Sequence, residues 1–248
     1  MPNSKQRYTV IDLIRGFAIL NMVIFHALWN LVYIYDIDIP WFRSDFVNFY
    51  QLFGRWVFVL ISGFCRPVSR QKLSRGFLVL LFACLITLVT EFFVPDSPIY
   101  FGILSLIGTG MLLSALLDKA YKKINPYIGF IFFLTLFIFT QNVNIGKISV
   151  GSWHLCDIPE SWYKNMFTAY LGFAPETFYS SDYFPLVPWL FLYQAGHFLF
   201  YVFERLNLLR FLSFIRIRWL EWIGRKTLYV YILHQPVIYG LMYIYFGY

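Results

Sequence analysis

Residues 11 to 30 read IDLIRGFAILNMVIFHALWN, a mainly apolar stretch that carries an arginine near its start and a histidine further along. Arg15 and His26 are separated by about three helical turns and roughly 16 Å of rise, so both side chains lie on one face of a helix. Ionisable side chains at that depth in a bilayer are costly and usually face a protein interior or a water-filled cavity. The stretch therefore predicts a membrane-spanning helix with a candidate site at His26.

The composition extends this prediction to the whole chain. Of its 248 residues, 59% are hydrophobic, 23% are aromatic and only 13% are charged, which is not the balance of a water-soluble domain. The formal charge of +7 is compatible with nucleic-acid binding, but nucleic-acid binders concentrate Lys and Arg on a solvated face. Here these residues lie between apolar segments, which favours a polytopic membrane protein. The expected partner is therefore the lipid bilayer and not nucleic acid.

Seven apolar segments are long enough to cross about 30 Å of hydrocarbon as helices. They are residues 8 to 33, 48 to 65, 76 to 94, 99 to 117, 125 to 141, 184 to 203 and 227 to 246. The predicted fold class is all-α, a bundle of about seven transmembrane helices. A short interfacial helix is expected near Trp162 to Phe173, in the mostly polar stretch from Gln141 to Tyr183. Without an internal repeat or a low-complexity linker, residues 1 to 248 are predicted to form one domain.

The basic residues orient this bundle. With the N-terminus inside, fifteen Lys and Arg residues face the cytoplasm, and the opposite loops carry only Arg43, Lys147 and Lys164. This asymmetry satisfies the positive-inside rule and places Tyr248 outside. The first segment contains Asp12 and Arg15 and lacks a small-residue cleavage motif, so it is predicted to be a retained helix and not a signal peptide.

Three histidines fall within predicted spans. His197 and His234 lie roughly 12 and 14 Å along their helices from the basic residues at the cytoplasmic side, a depth similar to that of His26. A lone buried histidine is more often structural than catalytic, but the shared depth indicates a polar cavity. Asn30, one turn after His26, extends the polar face outward. His154 is interpreted as a surface residue of the outer loop.

Neither a disulfide framework nor a metal site is expected. Cys65 and Cys84 lie within or beside predicted spans, and only Cys156 lies in an outer loop. The sequence contains no CxxC, HExxH or EF-hand pattern, so no metal ligands are predicted.

Five blocks at span boundaries carry a resemblance to a known family. They read IDLIRGFAILNMVIFH, FVLISGFC, FGILSLIG, DYFPLVPWLFLYQAG and IGRKTLYVYILHQP. In this order, from Ile11 to Pro236, they resemble the short bacterial relatives of heparan-alpha-glucosaminide N-acetyltransferase, within the wider group of transmembrane acyltransferases. The Arg15-x10-His26 spacing is also similar to the first-helix signature of the membrane acyltransferase-3 group, whose members have more helices.

The resemblance implies acyl transfer across a bacterial cytoplasmic membrane by a multi-pass protein. An acyl-CoA donor, acetyl-CoA above all, would bind on the cytoplasmic side, and the amine or hydroxyl of a sugar or glycan would bind outside. Carried over by motif, His26 would be the catalytic base and Arg15 a partner that orients the donor or the helix. Two departures from the family pattern stand out: relatives often have a carboxylate at the position of Asn30 and a histidine at the position of Ser105.

Other residues are assigned to three parts of this predicted site. The phosphates of CoA prefer arginine and lysine, although topology alone also explains these cations. A thioester oxygen that gains charge needs hydrogen-bond donors. The assignments are Arg66, Arg70, Arg225, Lys226 and Ser62 for the donor, Asn30 and His234 beside the base, and Asp182, Trp189 and Gln235 for the acceptor. A covalent route through Ser62 or Cys65 has no base at a recognisable spacing, so direct transfer is favoured.

Two other classes of function stay open. Midplane histidines also serve proton relays, so a proton-coupled transporter or channel is the main alternative, although seven spans without repetition fit it poorly. A non-catalytic membrane partner protein is the third interpretation. The sequence leaves open the acceptor, the acyl chain and the oligomeric state, a homodimer included.

Overall fold

A computed structural model describes residues 8 to 69, 72 to 151 and 153 to 247 of the chain. Within these residues the protein is mainly helical. The helices are α1 (Thr9–Tyr33), α2 (Asp45–Phe64), α3 (Lys72–Phe93), α4 (Ile103–Leu116), α5 (Asp118–Tyr121), α6 (Pro126–Phe139), α7 (Met166–Leu171), α8 (Leu186–Arg205), α9 (Arg218–Arg225) and α10 (Thr227–Phe246). Two strands, β1 (Lys147–Val150) and β2 (Trp153–Asp157), form an antiparallel hairpin between α6 and α7.

A helix forms at each of the seven predicted spans. Four described segments are long and apolar enough to cross a membrane, namely Thr9–Tyr33, Leu73–Phe93, Pro126–Ile145 and Leu186–Arg205. Helix α4 is apolar but shorter, while α2 and α10 are as long as α8 but are not among these four segments. The mainly helical architecture is thus confirmed, with four candidate membrane spans, whereas seven crossings and an inside N-terminus stay predictions.

The hairpin adds a short two-stranded sheet to the mainly helical fold. Gly146 and Gly151 precede and follow β1 with φ angles of +79° and +57°, and glycine adopts such left-handed conformations without the steric cost of a Cβ. The interfacial helix predicted near Trp162 to Phe173 is also shorter than expected. Only α7 is α-helical there, and it begins at an Asn165 capping box that includes Thr168.

The chain divides into two compact units. The first unit combines Met1–Ile61 with Asn207–Tyr248, and the second unit is Ser62–Leu206. In the first unit, α1 packs against α9 and α10. The closest crossing is between two glycines: a Cβ on Gly16 would lie 2.2 Å from the Leu220 carbonyl oxygen, and one on Gly224 would lie 1.8 Å from that of Asp12. Only glycine permits this approach of the two backbones.

The second unit is built by α6 against α8, α3 against α4, and α4 against α8. Large aromatic side chains fill its core, and Tyr193, Phe198 and Phe200 are fully buried. Glycines face some of these rings, since a Cβ on Gly129 would lie 2.5 Å from the Phe198 ring. Dispersion contacts between such closely packed groups stabilise helix pairs in lipid, where the hydrophobic effect does not drive association.

Candidate active site

Helices α1 and α10 bring four of the predicted site residues together in the first unit. His26 and Asn30 lie on consecutive turns of α1, and His234 and Gln235 are adjacent on α10. The Nε2 of Gln235 lies 3.2 Å from Nδ1 of His26, and the imidazole rings of His26 and His234 have centroids 5.1 Å apart. The sequence predicts a polar cavity at this depth, and α1 and α10 bring these four side chains into contact there.

The polar side chains form a chain of hydrogen bonds. Asn30 Nδ2 donates to Gln235 Oε1 at 3.2 Å, and Gln235 Nε2 in turn lies within hydrogen-bonding distance of His26. We call this chain, from Asn30 through Gln235 to His26, the amide relay. Asn30 is completely buried, and its Oδ1 has no hydrogen-bond partner in the described part of the chain. Because unsatisfied buried amides are costly, this oxygen marks a position where a partner would stabilise the site.

The protonation of His234 follows from its contact with the backbone. Its Nδ1 lies 2.5 Å from the carbonyl oxygen of Tyr231, one turn earlier in α10. A carbonyl oxygen only accepts hydrogen bonds, so Nδ1 carries a proton, and the neutral ring has its lone pair on Nε2. The side chain of His234 thus adds a hydrogen bond to a backbone carbonyl of its own helix.

Basic residues lie at one end of the first unit, near the start of α1 and the start of α10. We call this the basic end. Arg15 Nη1 is 3.8 Å from Asp12 Oδ1, an ion pair within the first turns of α1. The contact between Gly16 and Gly224 places Arg15 at the same end of this unit as Arg225. Arg225 and Lys226 are exposed at the junction of α9 and α10. His26 lies along α1 from this end by roughly 16 Å at 1.5 Å per residue.

The other predicted donor residues belong to the second unit or lie outside the described residues. Arg66 is 3% exposed, donates through Nε to the Met111 carbonyl at 3.2 Å, and has a buried Nη2 without a partner in the described chain. Burial lowers the pKa of this guanidinium, an effect that nearby Tyr193 and Asp118 oppose. Ser62 lies in the last turn of α2, and Arg70 is outside the described residues.

Two predicted acceptor residues also lie in the second unit, where they make structural contacts. Asp182 Oδ2 accepts a hydrogen bond from the Ile103 backbone N–H at 3.4 Å, at the start of α4. The Trp189 ring lies 4.8 Å from that of Phe184, measured between centroids. Neither residue belongs to the unit that holds the amide relay, so their contact with an acceptor stays a prediction.

The remaining histidines differ from the pair on α1 and α10. His197 is buried in the second unit among the rings of Tyr121, Phe198 and Tyr201, with centroids 5.3 to 5.4 Å from its own. This environment favours the structural interpretation of His197. His154 is exposed on β2, where its Nε2 lies 2.9 Å from Asp157, as expected of a surface residue. Among the described residues, no group of three His, Cys, Asp or Glu side chains could hold a metal ion.

The first unit also contains an open cleft that was not predicted from the sequence. It is lined by Ile34, Tyr35, Asp36 and Tyr239. Tyr239 follows Gln235 by four residues and therefore lies one turn further along the same face of α10. This spacing was the available signal, but a tyrosine at the outer end of a span is usually explained by the interfacial aromatic belt.

Comparison with known families identifies the family of the chain. Residues 7–236 match the model of the catalytic region of heparan-alpha-glucosaminide N-acetyltransferase. The chain belongs to this family. Members of this family are acetyltransferases. The matched region includes all of α1 and the part of α10 up to Pro236. Searches among curated proteins and among solved structures found no match. The chain is therefore a membrane protein of the acyltransferase class, and His26, Asn30, His234 and Gln235 lie within the matched region.

Proposed function

We propose that this protein transfers an acyl group, most simply acetyl, from cytoplasmic acyl-CoA to an amine or hydroxyl of a sugar on the outer side of the membrane. The observation that carries the proposal is the amide relay, which holds His26 beside Gln235 and Asn30 on α1 and α10. His26 acts as the general base. Family membership supports the acetyltransferase chemistry, and the relay supports the role of this imidazole.

The relay can exist in two hydrogen-bonding arrangements. In the first, Asn30 donates to Gln235, which donates to His26 Nδ1, so the neutral imidazole carries its proton on Nε2. If both amides rotate by 180°, the heavy atoms stay in place, but His26 Nδ1–H donates to Gln235 and Gln235 donates to Asn30. Each arrangement leaves one polar atom of the Asn30 amide without a partner in the relay, so the two are similar in hydrogen-bonding cost.

The rotated arrangement is the one that catalysis requires. It places the lone pair of His26 on Nε2, away from Gln235, where it can take a proton from the acceptor. It also leaves Asn30 Nδ2 as an unused donor that can stabilise the negative charge on the thioester oxygen. His234 is less suited to this second role, since its neutral ring presents a lone pair at Nε2. One rotation thus creates a base and an oxyanion donor together.

The reaction then proceeds without a covalent enzyme intermediate. The acceptor nitrogen or oxygen attacks the thioester carbonyl carbon, and His26 Nε2 takes the proton that the acceptor loses. The new C–N or C–O bond forms, the C–S bond breaks, and the proton passes from His26 to the CoA thiolate. The acyl group leaves on the sugar, and neutral His26 is restored.

The donor side is assigned to the basic end of the first unit. Arginine and lysine bind phosphate through charge-assisted hydrogen bonds, and Arg225 and Lys226 are exposed where α9 meets α10. An extended pantetheine arm running along α1 and α10 would bring the thioester towards His26. The assignment of Arg66, Arg70 and Ser62 to the donor, and of Asp182 and Trp189 to the acceptor, stays a prediction from the sequence.

Transfer by purified protein in lipid nanodiscs tests this function. Labelled acetyl-CoA and glucosamine are supplied, and wild-type protein is compared with His26→Ala, His234→Ala and the exposed control His154→Ala. We expect loss of a general base to lower kcat by about 10²- to 10⁴-fold in His26→Ala, with wild-type turnover in His154→Ala. Unchanged turnover in His26→Ala would refute the assignment. If His234→Ala alone abolished transfer, the base would be the second imidazole.

A further inference from the structure

Two imidazole rings lie side by side in the first unit, one on each of the helices that carry the amide relay. The rings of His26 and His234 have centroids 5.1 Å apart, and both side chains are half-buried. The reaction proposed above uses only His26. A second group of the same chemistry therefore lies beside the base without a role in that reaction.

The backbone of α10 fixes which nitrogen of His234 is basic. Its Nδ1–H donates to the Tyr231 carbonyl oxygen at 2.5 Å, so the lone pair of the neutral ring is on Nε2. In the rotated arrangement of the amide relay, His26 also has its lone pair on Nε2. The site then offers two nitrogen atoms that can accept hydrogen bonds and protons.

An ammonium group matches this pair of acceptors. It carries three N–H donors, and two hydrogen bonds of about 2.9 Å from one tetrahedral nitrogen reach acceptors roughly 4.7 Å apart. This separation is close to the 5.1 Å between the centroids of the two imidazole rings. A hydroxyl group has only one hydrogen to donate, so it can engage only one of the rings as a donor.

Amine and hydroxyl acceptors also differ in the number of protons that they lose. A sugar hydroxyl loses one proton when it forms an ester, and His26 passes this proton to the CoA thiolate. An alkyl amine is mainly an ammonium ion at neutral pH, and it loses two protons when it forms an amide. Because the CoA thiolate takes only one of them, the other proton needs a second base.

The charges around the pair favour onward transfer of the proton that His26 receives. The titratable groups beside His234 are His26 on α1 and Tyr231, whose ring centroid is 5.5 Å away. Lys226, at the start of α10, lies roughly 12 Å from His234 along the helix. The charged residues of α9 all precede Lys226, and they are Arg218, Glu221 and Arg225. Arg55 of α2 acts on His26 through its positive charge. Two neighbouring imidazolium ions beside a third cation repel each other, so a charged His234 favours transfer of the His26 proton to the thiolate.

We propose that His234 is a second catalytic base, which takes a proton from the ammonium form of an amino-sugar acceptor before His26 acts. One N–H bond of the ammonium group breaks, its proton moves to His234 Nε2, and the freed amine attacks the thioester carbonyl carbon. His26 takes the second proton and passes it to the CoA thiolate as the C–S bond breaks. His234 returns the first proton to water after the amide has left. This inference rests on the proposed function, and it makes an amine the acceptor to which the site is matched.

The pH dependence of acyl transfer tests this role. The value of kcat/KM for glucosamine is measured between about pH 6 and pH 9 with acetyl-CoA and the full chain in nanodiscs. Wild type is compared with His234→Asn and with the exposed control His154→Asn. The asparagine amide keeps a donor for the Tyr231 carbonyl but has no basic nitrogen.

Without the second base, only the neutral amine reacts. We therefore expect kcat/KM of His234→Asn to fall about tenfold relative to wild type for each pH unit below the pKa of glucosamine, and to match wild type above that pKa. His154→Asn should match wild type at every pH. A ratio of wild type to His234→Asn that does not change with pH overturns the inference.

Nitrogen-15 NMR of histidine-labelled protein separates failure of this role from failure of the proposed function. Glucosamine is added at about pH 7 without acyl-CoA, and the His234 signals are assigned by their loss in His234→Asn. We expect the Nε2 resonance of His234 to shift and that of His154 to stay in place. If this shift occurs but no acyl transfer is detected, the proposed function fails, while His234 still receives the ammonium group. An unchanged His234 Nε2 resonance overturns the inference whatever the transfer assay shows.

Discussion

At the residue scale, the protonation of His26 depends on a neighbour 209 positions away in the chain. Gln235 contacts both His26 and Asn30, and its amide can present either an N–H or an oxygen to the imidazole. In serine hydrolases, an acceptor on the distal imidazole nitrogen holds the ring in the tautomer that acts as a base. Gln235 can accept a hydrogen bond from Nδ1–H of His26, and so select the basic tautomer, only when its amide oxygen faces the imidazole. It is accordingly a positioning residue whose chemistry is distinguishable from simple packing.

Substitution of Gln235 tests this role. We expect Gln235→Leu to lower kcat by about 10²-fold, because neither tautomer of His26 is then favoured. Gln235→Glu should keep more activity, since an ionised carboxylate can only accept a hydrogen bond and so selects the Nδ1–H tautomer. Single-turnover rates with acetyl-CoA and glucosamine measure both.

The matched control is Gln194→Leu, which removes another buried glutamine amide, one that accepts from Ser114 at 3.0 Å in the second unit. If kcat fell equally in Gln194→Leu and Gln235→Leu, or if Gln235→Glu were the least active of the three, the loss would reflect altered packing and the positioning role would be wrong.

At the element scale, the close crossing of α1 and α9 holds the first turns of α1, the helix that carries His26. Each glycine contacts backbone of the opposite helix, and backbone cannot move aside as a flexible side chain can. Helices that approach this closely gain dispersion contacts along the whole crossing. A single methyl group at this point must therefore separate the helices or shift one along the other.

We expect Gly224→Ala to destabilise the protein by about 1–3 kcal/mol, the usual cost of overpacking. A Cβ at that position would lie 1.8 Å from the Asp12 carbonyl oxygen. Gly54 in α2 is the control, because a Cβ there meets nothing within 4 Å. Gly54→Ala should stabilise the helix by roughly 0.5–1 kcal/mol. Thermal unfolding in one detergent measures both, and equal Tm values for the two variants would contradict the crossing.

The elements also show how far the sequence predicted the fold. Long apolar runs predicted α1 and α10 almost to the residue, because spans of this length are recognised by composition alone. Helix α9 was missed: it has only eight residues, and its basic residues read as a cytoplasmic loop. The hairpin was missed as well, since strands of four and five residues give too short an alternating pattern to recognise.

Part of the candidate site was also predicted from the sequence. His26 was found because an imidazole within an apolar run is costly unless it faces a polar neighbour. The contact between His26 and Gln235 joins the two ends of the chain, and no local pattern specifies such a pairing. The cleft at Asp36 depends on a turn after α1 and on one tyrosine of α10, so it emerges only when the helices are packed.

At the scale of the whole molecule, the proposed function requires a donor and an acceptor that arrive from opposite sides. The positive-inside asymmetry predicts that the turn between α4 and α6 faces the cytoplasm, while the hairpin and the turn after α1 face outward. Each of these three segments has an exposed residue. Lys119 lies in α5 between α4 and α6, Cys156 in strand β2 of the hairpin, and Asp38 in the turn after α1. Between Lys119 and Cys156 the only long apolar segment in the described chain is Pro126–Ile145.

Labelling with a membrane-impermeant maleimide tests this orientation in sealed, right-side-out vesicles. We expect Cys156 of the wild-type protein to react from outside and the signal to disappear in Cys156→Ser, because thiols facing lipid or protein are not ionised and react slowly. In the Cys156→Ser background, Asp38→Cys should react from outside, and Lys119→Cys only after permeabilisation. Labelling of Lys119→Cys in sealed vesicles would show that Pro126–Ile145 does not cross or that the orientation is reversed. If Cys156 were also labelled only after permeabilisation, the orientation would be reversed, and the acyl-CoA could not enter from the cytoplasm at the end assigned to Arg225 and Lys226.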